Sequence, residues 1–168
     1  MQNLIDPLIF IVEDNTVYNK LEVSYLRSQK FTRVESYLTG EECLKNIYKK
    51  PDVIIQDYIL DGMNGIEVLK ATKKLYPETE FIFLSGQDSV DIAINSMKYG
   101  AYDYIVKDQM ALKKMVDKIN KIISVRDLVK SNKRYKMGVT YFFIALVLLI
   151  LIIISLTLLF PEKFSIGS

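Results

Sequence analysis

Residues Val53–Gly65 read VIIQDYILDGMNG, and the fold is decided by how this stretch is understood. Val53–Gln56 is a short run with strand character that delivers Asp57 at its C-terminal end. A turn-rich segment containing Gly62 follows, and a helical pattern opens at Gly65. In an α/β sheet the carboxyl ends of the strands are where ligand sites form. Three other predicted strands end in residues with chemistry of their own: Glu13 and Asp14, then Ser85, then Lys107. A lone carboxylate would mean little. Two more acids, a hydroxyl and a lysine at strand ends that converge on it define a site.

Working outward, Leu8–Val12 is wholly apolar, the pattern of a strand buried on both faces. Asn15 or Thr16 is placed to cap a first helix, whose apolar positions Val17, Leu21, Tyr25 and Leu26 recur at helical spacing. Thr32–Leu38 reads as a second strand, and Thr39–Tyr48 as a helix with Glu42 at capping-box spacing from Thr39. Gly65–Tyr76 is a third helix stopped by Pro77, and Phe81–Leu84 a fourth strand ending in Ser85-Gly86. Asp88–Tyr99 is a helix stopped by Gly100, and Tyr102–Val106 a fifth strand ending in Lys107. A long fifth helix follows, with Leu112, Met115, Val116, Ile119, Ile122 and Ile123 on one face. Strands alternating with helices imply an α/β fold with a five-stranded parallel sheet covered on both sides.

Charge is unevenly distributed. Residues 1–125 hold 16 basic and 18 acidic side chains, whereas residues 126–136, RDLVKSNKRYK, hold five basic and one acidic. Residues 138–160 are 23 uncharged residues, about 35 Å long as a helix. The hydrocarbon core of a bilayer is about 30 Å thick, so one pass fits with some tilt. Lys130, Lys133, Arg134 and Lys136 precede this run and only Lys163 follows it. The positive-inside rule then puts the N-terminal domain in the cytoplasm. The expected layout is a domain over 1–125, a basic juxtamembrane linker over 126–136, a transmembrane helix over 137–160 and a short non-cytoplasmic tail over 161–168. The basic linker serves topology alone or also touches anionic headgroups. Nothing between Gln109 and Phe160 opposes a helix except Gly138, so continuity of the fifth helix with the span stays open.

Several function classes drop out. The single cysteine, Cys43, excludes an intrachain disulfide, and the absence of histidine excludes His-based catalysis and His metal sites. The first dozen residues lack a basic n-region, so no signal peptide is expected. No G-x-G-x-x-G follows the first strand, and no recognition-helix unit stands beyond the sheet, so neither a dinucleotide nor nucleic acid is an expected partner.

Glu13, Asp14 and Asp57 at adjacent strand ends make a strongly acidic site. Two carboxylates about 4 Å apart repel by roughly 4 kcal/mol at an effective dielectric of about 20. Lys107 supplies part of the compensation. A divalent cation supplies the rest, and a few carboxylates with water and phosphate oxygens suit Mg²⁺. Asp57 is then set to act as a nucleophile and form an acyl phosphate, with Ser85 hydrogen-bonded to one phosphoryl oxygen and Lys107 paired with another.

These residues carry a resemblance. The acidic pair Glu13-Asp14, the run Asp57, Leu60, Gly62, Met63, Gly65, then Ser85-Gly86, Gly100-Ala101, Asp103-Tyr104 and Lys107 together resemble the receiver domain of two-component response regulators, over about residues 5–125. The resemblance implies a doubly wound, flavodoxin-like sheet of order 2-1-3-4-5; a member of this family is the standard example of ligands at the switch point between strands one and three. It implies Asp57 as phosphoacceptor. It implies Mg²⁺ held by Asp14, Asp57 and the backbone carbonyl of Ile59, with Glu13 acting through water. It implies Ser85 and Tyr104 as a switch pair that remodels the face of helix four, strand five and helix five, a face on which homodimers form. For Tyr104 the alternative is plain strand packing. The implied partner is a histidine kinase or a histidine phosphotransfer protein, and the implied chemistry is limited to Mg²⁺-dependent self-phosphorylation and dephosphorylation.

Asp108 and Asp61 stand where the family has prolines. A non-proline cis bond costs about 3 kcal/mol, so the loop after Lys107 is where the geometry is expected to depart. Ile59 and Gln87 flank the phosphoryl site and are expected to tune the lifetime of the acyl phosphate. The leading expectation is a membrane-anchored phospho-receiver without a DNA-binding output domain. The alternative is a degenerate receiver serving as a non-phosphorylated membrane scaffold. A haloacid-dehalogenase-type phosphatase needs a second acid two residues past the nucleophile, where this chain has Ile59.

Overall fold

The computed structural model describes residues 6–159, apart from the side chains of 130–134, 136 and 156–159. The predicted tail at 161–168, Phe160 and the side chains of Lys130, Lys133, Arg134 and Lys136 therefore lie outside the described residues. The chain divides into two compact units, Met1–Ile123 and Ser124–Ser168.

Five strands alternate with helices in the first unit, and the last helix extends past Ile123. They are β1 (Ile9–Val12), α1 (Thr16–Ser28), β2 (Val34–Tyr37), α2 (Gly40–Asn46), β3 (Val53–Gln56), α3 (Gly65–Leu75), β4 (Glu80–Ser85), α4 (Val90–Lys98), β5 (Asp103–Val106) and α5 (Ala111–Leu159). A 3-10 turn, Ile47–Lys49, ends α2 before Pro51. The sheet order is β2-β1-β3-β4-β5 and every pairing is parallel, as the resemblance implies.

Side chains alternate across a strand, so each strand feeds two cores. Ile9, Ile11, Val53, Ile55, Ile82 and Leu84 pack with Leu26 of α1 and with Met115, Ile119 and Ile122 of α5. Leu8, Phe10, Val12, Ile54, Phe81 and Phe83 pack on the other side with Cys43 of α2 and Ile66, Val68 and Leu69 of α3. Burial on both faces explains why β1, β3 and β4 read as unbroken apolar runs.

Three expectations need correction. β2 is shorter than Thr32–Leu38, because it is an edge strand with only Val34 buried. The apolar face assigned to α1 is wrong in part. Val17 is 76% exposed and Leu21 47% exposed, while Asn19, Glu22 and Leu26 are buried. The Asn15 cap sets the phase of the helix, and that phase turns a polar pair inward. At α2 the capping box is half formed: Thr39 accepts from the Glu42 N–H, but the Glu42 carboxylate accepts from Leu38. The full box lies at α3, between Asn64 and Glu67. Gly100 ends α4 at φ +94°, a region open chiefly to glycine.

In the second unit, Met137–Ser155 of α5 is long and apolar enough to cross a membrane, and none of it is buried.

Candidate functional site

The strand ladders carry the site residues into place. Strand register pairs Val12 with Gln56, and the ladder runs one step further: the Asp57 N–H donates to Val12 O at 2.9 Å. The Glu13 N–H likewise donates to Tyr37 O at 3.1 Å, and the Lys107 N–H to Ser85 O at 2.7 Å. Glu13, Asp57 and Lys107 are thus the first residues past β1, β3 and β5, each held by a sheet hydrogen bond to the strand beside it.

Their side chains meet. Lys107 Nζ lies 2.6 Å from Glu13 Oε2 and 2.7 Å from Asp57 Oδ2. Asp14 joins them, with one carboxylate oxygen from each of Glu13, Asp14 and Asp57 lying within 4.8 Å of the others. Burial opposes the charge on Lys107, yet its hydrogen bonds to Asp57 and Glu13 outweigh that, and its pKa stays above the usual lysine range. Burial pushes Glu13 above the usual carboxylate range against the pull of Lys107.

The acid cluster fits a hard divalent cation. Three carboxylates carry three negative charges and Lys107 returns one, leaving an excess of two on oxygen donors alone. Such a donor set suits Mg²⁺ and offers nothing to soft metals.

Ser85 stands apart from this cluster. It is fully buried at the end of β4, and its Oγ accepts from the Gln87 N–H at 3.2 Å. Tyr104 reaches the same loop: its hydroxyl donates to Gln87 O at 2.7 Å. Burial raises the Tyr104 pKa, and a hydrogen bond with Ser85 opposes the rise. The Tyr104 ring also packs edge-on against Tyr58, the residue after Asp57, and both rings contact Phe83. Of the predicted site residues, Glu13, Asp14, Asp57 and Lys107 therefore form one cluster, and Ser85 and Tyr104 form a second beside it. The Ile59 N–H donates to Asp57 Oδ1 at 3.3 Å.

Sequence reading missed three contributors. Asp108, in the turn ahead of α5, accepts from the Met110 N–H at 2.8 Å and from Lys114 Nζ at 2.6 Å. No cis peptide bond occurs among the described residues. Asn19 donates to Glu13 O at 3.1 Å and Tyr37 O at 3.3 Å, tying α1 to the acidic end of β1. Glu22 is 1% exposed, and its Oε2 has no hydrogen-bond partner among the described residues. Burial, and then the charge of Glu13, drive its pKa up to about 9. A polar residue on a helix's inner face leaves no mark in hydrophobic periodicity.

Comparison with known proteins agrees with this geometry. The chain is 32% identical over 98 residues to the luminescence regulatory protein LuxO of Vibrio campbellii, covering 58% of this chain and 21% of that protein. This chain thus spans about a fifth of the length of the curated relatives it matches. Among solved structures, a CheY-like response regulator receiver domain protein from Methanospirillum hungatei JF-1 is 27% identical with a TM-score of 0.65, over 71% of this chain and 94% of that one. A response regulator receiver domain protein from Clostridium thermocellum is 25% identical with a TM-score of 0.64, over 72% and 97%. The family model for the response regulator receiver domain matches residues 9–120. That match contains all five strands and every residue of the acid–lysine cluster, and on it the chain belongs to the response regulator receiver domain family of two-component systems.

Proposed function

We propose that this chain accepts a phosphoryl group on Asp57 and does so as a membrane-anchored receiver. The observation that carries the reading is the shared grip of Lys107 on Asp57 and Glu13, at 2.7 and 2.6 Å, inside a cluster that retains net negative charge. A scaffold without phosphoryl chemistry has no use for a half-buried lysine and three converging acids. The intact cluster therefore favours the phospho-receiver over the degenerate alternative.

In the proposed step, an Asp57 carboxylate oxygen forms a bond to phosphorus as the P–N bond of a phosphohistidine breaks and the donor's imidazole leaves. Asp14, Asp57 and the Ile59 carbonyl would hold Mg²⁺, with Glu13 acting through water. The cation supplies charge neutralisation on the transferring oxygens. Lys107 gives up Asp57 Oδ2 and pairs with a phosphoryl oxygen, while Ser85 turns its hydroxyl to another. Tyr104 shares Gln87 with Ser85, so a move of Ser85 is felt along β5. Receivers of this family work with histidine kinases or phosphotransfer proteins, and such a donor must reach Asp57. Val17 and Leu21, exposed on α1 beside Asp14, offer it apolar contact.

The membrane part of the reading rests on the apolar, unburied segment Met137–Ser155 and on the basic residues before it. It makes residues 126–136 a juxtamembrane linker, 137–160 a single span and 161–168 an outer tail, with the receiver in the cytoplasm.

The test is intact-mass measurement on the chain with acetyl phosphate, with and without Mg²⁺, beside Asp57→Asn. One Mg²⁺-dependent phosphoryl adduct, absent in the variant, is expected. No adduct in the wild type from acetyl phosphate or from a phosphorylated histidine kinase would return the scaffold reading.

A further inference from the structure

The cluster has a wall that the acids do not supply. Lys107 Nζ lies 4.4 Å from the centroid of the Tyr18 ring, inside the range of about 6 Å over which an aromatic face attracts a cation. Tyr18 is pinned at the start of α1: its N–H donates to the Asn15 cap at 3.1 Å. The ring is partly buried against the core beneath β1 and β3. Glu22 follows one helical turn later and is buried.

Lysine carries a point charge on a flexible four-carbon stem, so it needs to be held. In the structure three groups hold this one: Glu13, Asp57 and the Tyr18 ring. Phosphorylation of Asp57 removes the carboxylate charge from one of them and sets phosphoryl oxygens in its place. We propose that Tyr18 is a positioning residue for Lys107, its ring keeping the ammonium beside Asp57 so that it passes to the phosphoryl oxygens instead of out to solvent. The inference rests on the reading of Asp57 as phosphoacceptor and adds to it a residue from α1 that the acid–lysine cluster does not include.

The ring, not the hydroxyl, does this work. Tyr18→Phe keeps the aromatic face and is expected to take phosphate from acetyl phosphate at the wild-type rate. Tyr18→Leu is expected to be about tenfold slower, which at about 1.4 kcal/mol per decade is what a partly desolvated cation–π contact supplies. A packing role would slow a Lys107→Ala chain just as much when Tyr18→Leu is added. A positioning role leaves that chain no slower, because the group being positioned is gone.

A second arm needs no phosphorylation. The full chain in detergent is treated with an amine-acetylating reagent, and the rate of Lys107 modification is followed by peptide mass. Tyr18→Leu is expected to raise that rate about tenfold and Tyr18→Phe to leave it unchanged. An effect of Tyr18→Leu that persists undiminished in the Lys107→Ala background, or a Tyr18→Phe chain as slow as Tyr18→Leu, overturns the proposal. Should the wild type take no phosphate at all, the phospho-receiver reading falls, and the labelling rates alone decide this one: equal rates in all three chains reject it.

Discussion

Asp61 donates its backbone N–H to Asp14 Oδ2 at 3.2 Å. Proline, which the resemblance leads one to expect here, has no N–H to give. The departure from the family pattern therefore adds a hydrogen bond that steadies a proposed metal ligand. Asp61→Pro is expected to weaken Mg²⁺ binding about fivefold relative to Asp61→Ala, which retains the N–H; one net hydrogen bond is worth about 1 kcal/mol. Calorimetric titration of the two variants with Mg²⁺ checks it, and equal affinities would refute it.

Glu22 makes stability depend on pH. Its pKa is about 9 in the fold, raised first by burial and then by Glu13, with Lys107 opposing and Asp57 adding to the rise, and its charge in turn helps raise the Tyr18 pKa. An acid whose pKa is raised on folding binds its proton more tightly in the native state, so stability falls as pH climbs from the unfolded value toward 9 and levels beyond it. Glu22→Gln removes this dependence. Urea unfolding of residues 1–125 at pH 5, 7 and 9 is expected to show the variant gaining on the wild type as pH rises, by an amount on the order of a few kcal/mol. Parallel curves would show that Glu22 titrates normally.

Gly65 has no room for a methyl group. A Cβ there would stand 2.7 Å from Phe83 Cε1, 2.9 Å from Gln56 Nε2 and 3.0 Å from Asp57 O, whereas one at Gly86 would meet nothing within 4 Å. Gly65→Ala is expected to cost roughly 1–3 kcal/mol through overpacking and to slow phosphorylation by shifting Asp57. Gly86→Ala, measured beside it by urea unfolding and acetyl phosphate uptake, is expected to change neither.

Tyr104 separates two roles by atom. Its ring packs on Tyr58 and Phe83, and its hydroxyl alone reaches Gln87 O. Tyr104→Phe is expected to phosphorylate at the normal rate while the phosphorylation-dependent chemical-shift changes along β5 shrink. Undiminished shifts would leave Tyr104 a packing residue only.

Leu146 lies in the middle of the apolar segment and is exposed. A lysine at the centre of a span costs roughly 3 kcal/mol on insertion scales. Leu146→Lys is expected to move much of the chain from the membrane fraction to the soluble fraction in cell fractionation. An unchanged distribution would show that this segment does not anchor the chain.

What the sequence made legible follows from how each element is buried. β1, β3 and β4 lie between two layers, so nearly every side chain is apolar and the strands announce themselves. Glu13, Asp57 and Lys107 were found because they interrupt such runs. β2 lies at the edge and has one buried residue, so its ends were blurred. On α1, Val17 and Leu21 obeyed helical spacing yet face outward. Spacing reports which residues share a face, not which face is inside; the Asn15 cap and the pull of Asn19 on two strand-end carbonyls settled that. Asp108, read as a missing proline, proved to hold the turn that leads into α5, its carboxylate accepting from the Met110 N–H.

The eight residues of β1 and β3 are all but closed to solvent. Their amides are therefore expected to exchange hydrogen only when the whole domain unfolds, on the slowest time scale the fold offers. The segment that follows Asp57 buries Leu60 but exposes Ile59, Asp61 and the positive-φ Gly62, and its amides are expected to exchange sooner. Asp57, the proposed phosphoacceptor, is thus expected to stand at a boundary between time scales. A charge placed on it is expected to move the loops ahead of it more readily than the buried strand behind.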